Sequence, residues 1–147
     1  MAEDVRVAAL RRSPLFGELG RRDLGRLASA MKERSFSAGS EVTTEGEIGV
    51  GFFVIGQGSA SVEVGGTKVR EIGPGDHFGE ISLVVETPRT ATVRAVTDLR
   101  CYAMTSWDFR RLIESNAAVA WQVLVAMSRR LLKLEELRLD GPERRGL

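Results

Sequence analysis

Eleven of the sixteen glycines in this chain fall between Gly39 and Gly79. Between them lie short runs rich in Val, Ile, Phe and Thr, such as GFFVIG, SASVEV and TKVREI. A chain interrupted this often cannot carry a long helix or the crossovers of a parallel sheet through that stretch, so it is expected to fold as short antiparallel strands. Gly65-Gly66 supplies the two-residue loop of a hairpin. Further strands are expected at EVTTE, TATVRAV and LRCYAM. Strands this close together, with no fixed-period repeat, predict a barrel or sandwich, here a compact β-roll between helices.

The flanks have a different period. Val5 to Arg11 is apolar-periodic and ends near Ser13-Pro14, where proline disfavours helix in the residue before it. The stretch LGRRDLGRLASAMKE places Leu19, Leu24, Leu27, Ala28 and Met31 near one helical face, which extends the expected helical region to about residue 35. The roll should then occupy about 36–104. After it, Ser106 is a candidate cap for WDFRRLIES. A longer helix is expected from Ala117 to Leu139, with Leu124, Met127, Leu131 and Leu134 spaced to pack on the roll or, over less than three heptads, on a second copy. Asp140-Gly141-Pro142 should stop it, leaving a charged tail.

Composition excludes several functions. One histidine, His77, is too few for most zinc centres or His-based triads, so no metal and no catalytic site are expected. The only cysteine, Cys101, sits in an alternating strand and reads as a buried small hydrophobe. Net charge is +1, which argues against a nucleic-acid partner. No apolar run is long enough to span a membrane, and the acidic N-terminus lacks the features of a signal peptide. A cytoplasmic location is therefore expected. Trp107 and Trp121 read as core anchors rather than stacking platforms.

The centre of the chain is mildly acidic, with nine acidic and five basic side chains between residues 36 and 104. An arginine there stands out in HFGEISLVVETPRTATVRA. If EISLV makes a helical turn after Gly79, its first amides are unpaired and suit an anion, and Gly79 allows close approach. Arg89 can return to the same spot as a fixed cation, and Glu80 can accept from a hydroxyl. The ligand so described carries a phosphate and an adjacent hydroxyl. A surface turn with a salt bridge explains the same residues equally well.

FGEISLVVETPRTATV closely resembles the phosphate-binding cassette of cyclic-nucleotide-binding domains, found in cyclic-AMP-dependent kinase regulatory subunits, gated channels and the catabolite activator. PLFGELGRRDLGRLASAM and FSAGSEVTTEGEIGVGFFVIGQGSASV are similar to that family's leading helices and first strands, so the likeness runs from about Ser13 to Leu139. It implies an α+β fold: an eight-stranded antiparallel, jelly-roll-like β-roll with N- and C-terminal helices, the cassette at 78–93, in a single domain.

The resemblance further implies that Glu80, with the Gly79 backbone, binds a ribose 2′-hydroxyl and that Arg89 pairs with a cyclic phosphate. Amides around Ile81, Ser82, Thr90 and Ala91 would complete the cradle. Val62, Ile72 and Phe78 would line the pocket, and Arg129, near Leu132, would cap the base. Thr90 permits cyclic GMP, since cyclic-GMP-favouring kinases carry Thr there, but channels responding to both nucleotides do as well. Many relatives place an Asp where this chain has Val50, bracing the cassette arginine. His77 falls at a variable position and is expected to face solvent.

A cyclic-nucleotide sensor is thus the leading expectation, with cyclic AMP first and cyclic GMP second. It would have no cofactor and would act through its last helices on an effector protein in trans or in a missing domain. An interaction or dimerisation module with a degenerate pocket is the alternative. A cupin-type metalloenzyme would need more histidines.

Overall fold

A computed structural model describes residues 4–13 and 15–140. Two N-terminal helices, α1 (Val5–Arg12) and α2 (Arg21–Ser29), precede eight strands. The strands are β1 (Lys32–Phe36), β2 (Glu41–Thr43), β3 (Gly51–Gln57), β4 (Ala60–Val64), β5 (Thr67–Ile72), β6 (His77–Phe78), β7 (Thr92–Ala95) and β8 (Leu99–Thr105). A 3-10 turn, Glu80–Leu83, follows β6, and helices α3 (Ser106–Ser115) and α4 (Ala117–Leu139) follow β8. The α+β architecture and the eight antiparallel strands match expectation.

The strands form two four-stranded sheets, ordered β1-β8-β3-β6 and β2-β7-β4-β5. Strand β3 carries most of the logic. Its alternate residues Phe52 and Val54 belong to a core shared with the helices, including Leu10, Phe16, Leu24, Leu27, Phe109 and Val119. Ile55 belongs to the core between the sheets, with Val62, Ile72, Val93, Leu99 and Cys101, and Phe53 packs against it. Period-2 alternation on one strand therefore divides the molecule into two apolar cores. Phe16 joins the helical side, edge-on to Phe52 at 5.9 Å and to Phe109 at 5.7 Å.

Gly65 and Gly66 have φ of 59° and 82°, the pair of positive values a tight β4–β5 hairpin needs. Cys101 is buried, as its strand position implies. Asn116 caps α4 by accepting from the Val119 amide at 3.2 Å.

Four expectations are overturned. The helical region does not reach residue 35: α2 ends at Ser29 and Lys32–Phe36 pairs with β8. Four of those five residues are exposed, so the strand has no apolar alternation to announce it. Thr105, not Ser106, caps α3, its hydroxyl accepting from the Asp108 amide at 3.2 Å. Trp107 and Trp121 are 56% and 64% exposed and anchor nothing; α3 buries Phe109 instead. On α4 the buried stripe is Val119, Val123 and Ala126, while Leu124, Leu131 and Leu134 are exposed. Gly141 and Pro142, expected to stop α4, lie outside the described residues.

Candidate functional site

The loop before β7 is held antiparallel against the segment before β3. Arg89 N donates to Glu47 O at 2.8 Å, Gly46 N donates to Arg89 O at 2.9 Å, and Ile48 bridges Pro88. This stitching fixes the Arg89 backbone and sends its side chain across the roll. There Nη2 donates to the Gly51 carbonyl at 2.7 Å.

Two glycines make room for that path. A Cβ on Gly49 would sit 2.2 Å from Arg89 Nε, and one on Gly79 would sit 2.5 Å from Nη1 and 2.5 Å from Gly51 O. Gly79 also has φ +88°, a left-handed conformation that other residues adopt at a cost. Arg89 is half-buried, and burial pushes its pKa down, although a guanidinium remains charged at neutral pH. Among the described residues no carboxylate pairs with it. Val50 stands where a bracing carboxylate was missed in the sequence, and the neighbouring Gly51 carbonyl is the partner found instead.

Opposite Arg89 the expected turn forms at Glu80–Leu83. Its Ser82 amide is committed to Gly79 O at 3.1 Å, whereas the amides of Ile81, Thr90 and Ala91 donate to no acceptor among the described residues. Gly79, Glu80, Ile81, Ser82, Arg89, Thr90 and Ala91 line one cavity of about 390 Å³, together with Val62 and Phe78. Ile72 lines an adjoining cavity of about 430 Å³ that shares Phe78, Gly79 and Glu80 with the first. Phe78 stacks on Phe53, centroids 5.2 Å apart, which fixes the apolar wall.

Arg129 is placed elsewhere: it pairs with Glu18 near the start of the chain. Its neighbour Arg130, turned about 100° around the helix, is the α4 residue that lines the second cavity. Two further residues went unread in the sequence. Arg70 lines both cavities. It does so because a bulge between Val62 and Glu63 pairs Val62 with Arg70, where a regular hairpin would pair it with Val69. Val69 is accordingly 57% exposed. His77, expected to face solvent, turns inward, its ring 5.7 Å from that of Phe52.

The Glu80 carboxyl is a balance of opposed effects. Burial raises its pKa, but His77, the residue's own backbone N–H and the Arg130 charge together bring it below the ordinary value. The site therefore offers an ionised acceptor on one wall, a cation without a carboxylate on the other and free amides between them. That set suits an anion carrying a hydroxyl.

A family profile described as cyclic nucleotide-binding domain matches residues 33–116. The chain is 36% identical over 105 residues to the cAMP-dependent protein kinase regulatory subunit of Eremothecium gossypii, covering 71% of this chain and 23% of that one. Thus it spans less than a quarter of that relative's length. The N-terminal domain of a transcriptional regulator from Streptomyces coelicolor superposes with a TM-score of 0.82 at 30% identity, covering 95% of this chain and 100% of that domain. The Thermus thermophilus catabolite activator protein gives a TM-score of 0.65 at 29% identity, over 87% of this chain and 62% of that one.

Proposed function

This chain belongs to the cyclic nucleotide-binding domain family, and on that premise we propose that it is a non-catalytic sensor of a cyclic nucleotide, with cyclic AMP as first candidate and cyclic GMP as second. The observation that carries the reading is Arg89: a half-buried guanidinium, held by backbone and free of any carboxylate among the described residues, facing the cavity that Glu80 also lines. Leaving a buried cation without an opposite charge is costly unless an anion arrives. The cyclic phosphate is that anion. The ribose 2′-hydroxyl donates to Glu80, and Ile81, Thr90 and Ala91 donate their amides to phosphate oxygens. Phe78, Val62 and Ile72 flank ribose and base.

The kinase regulatory subunit among the relatives favours cyclic AMP, while Thr90 leaves room for a guanine. Arg130 and Arg70, rather than Arg129, are best placed to meet the base. The signal leaves through α4, which is anchored by Val119, Val123 and Ala126 and exposed beyond Met127. Its receiver is a separate effector protein or a further domain. Exposed Leu131, Leu134 and Leu137 also support pairing of two copies through this helix.

Calorimetric titration with cyclic AMP and, separately, cyclic GMP tests the reading. Saturable binding of either is expected. No heat and no thermal shift with either, on folded protein, would replace it with an interaction module.

A further inference from the structure

His77 Nδ1 is the one buried side-chain nitrogen or oxygen among the described residues without a hydrogen-bond partner. Native proteins rarely leave such an atom unsatisfied, so its surroundings call for an explanation. The nearest group that can pair with it is Glu80, whose Oε2 lies 3.6 Å away, just beyond hydrogen-bond reach. The side chains are 18% and 19% exposed, so water screens the pair only weakly. The ring is backed by Phe52, and the backbone of β6 is paired to β3 through Val54 and His77. The imidazole therefore has little freedom to turn elsewhere.

We infer that His77 is a positioning residue for Glu80, and that its protonation sets the carboxylate for a ligand hydroxyl, making affinity for the nucleotide depend on pH. This rests on the sensor reading for its ligand, but the His77–Glu80 pairing itself does not. An imidazolium Nδ1 donates to Oε2 and leaves Oε1 to accept from the ribose. A neutral ring that lacks the proton on Nδ1 offers Oε2 nothing, and the carboxylate is free to swing.

The charged groups sharing the cavity with His77 are Arg12 from α1, Arg70 from β5, Arg130 from α4, Asp76 beside it and Glu80. Arg12 is turned away onto the Gly75 carbonyl. Arg130 also attracts the Glu80 carboxylate, so the imidazolium must compete with it rather than act alone. Glu80 stays ionised where an imidazole gains its proton, because its carboxyl is held below the ordinary value of 4.5. Orientation of the carboxylate therefore favours tighter binding on the acid side of the range in which an imidazole gains its proton.

His77 is the only histidine in the chain, so one imidazole signal in a nuclear magnetic resonance spectrum reports it without assignment. Two measurements decide the matter. In the ligand-free protein, the imidazole titration curve of the wild type is compared with that of E80Q. A changed curve is expected, and superimposable curves would overturn the pairing. Next, the affinities of wild type and H77Q for cyclic AMP and cyclic GMP are measured at pH 8 and pH 6. Wild type should tighten about tenfold, near the lower end for one charge-assisted hydrogen bond, while H77Q should hold one affinity at both values. Parallel changes in both proteins would overturn the role. Should wild type bind neither nucleotide, the sensor reading fails, and the ligand-free titration still decides whether His77 and Glu80 act together.

Discussion

Arg89 reaches the carbonyl of Gly51 at 2.7 Å and donates to it the only hydrogen bond its guanidinium makes within the described residues. One carbonyl dipole orients the group but does not neutralise it, which leaves most of its donors available to a phosphate.

Replacing Arg89 with Ala should weaken cyclic-nucleotide binding about 100-fold, near the ~3 kcal/mol of hydrogen bonding to a charged group. The fold should be retained, because the substitution also removes a half-buried charge that has no carboxylate beside it. Calorimetry and a thermal melt on the same sample separate the two effects. Unchanged affinity would remove Arg89 from the site.

Gly49→Ala and Gly79→Ala should differ in kind. At Gly49 the three atoms nearest the added carbon all belong to the Arg89 side chain, so affinity should drop with little change in melting temperature. At Gly79 it meets the Gly51 carbonyl as well as Arg89, and the backbone is left-handed. That variant should also lose roughly 1–2 kcal/mol of stability. Equal melting temperatures would contradict the geometry.

Thr90→Ala tests base choice. If the hydroxyl reads a guanine, cyclic GMP should lose about tenfold in affinity and cyclic AMP little. Equal losses for both nucleotides would assign Thr90 to packing.

Glu80 makes a prediction for acid stability. Its folded carboxyl titrates below 4.5, so its ionised form stabilises the fold at higher pH, and that contribution is lost as pH falls through the folded value. Between about pH 5 and pH 3 the wild type should therefore lose more melting temperature than E80Q does. Identical losses would show that Glu80 is not the group responsible.

Cys101 is fully buried, and burial pushes its thiol up to about 11. Thiolate is then scarce at neutral pH, and labelling by iodoacetamide should track global unfolding in urea. Rapid labelling of the native protein would show that the inner core opens locally.

Most strands were legible because glycine turns bracket runs of β-branched and aromatic residues, and α4 was legible from its helical period, with the expected bounds Ala117–Leu139. The cassette loop was legible through its resemblance to a family motif, since Gly79, Glu80 and Arg89 taken alone fit a surface turn with a salt bridge equally well. What escaped notice shares a cause: it depends on a register that no local pattern records. KERSF is a charged edge strand with four of five residues exposed, which protects a sheet edge and hides it from any search for apolar alternation. The bulge that brings Arg70 into the cavity is one skipped residue in β5. The choice between Arg129 and Arg130 is one step of helical phase, set by the buried Val119, Val123 and Ala126, and Arg129 meets Glu18 more than a hundred positions away. The exposed leucines of α4 have helical spacing, but the roll beneath them is occupied first by Val119, Val123 and Ala126.

Strand β3 imposes a constraint on how this protein can change. Within five consecutive residues it supplies the Gly51 carbonyl to Arg89, Phe52 and Val54 to the helical core, and Ile55 to the inner core. Sensitivity to ligand and resistance to unfolding are therefore written on one short segment. Variation there would trade one property against the other, whereas Arg70, Thr90 and Arg130 lie on other segments, so on the proposed sensor reading ligand preference would have its open ground at those three positions.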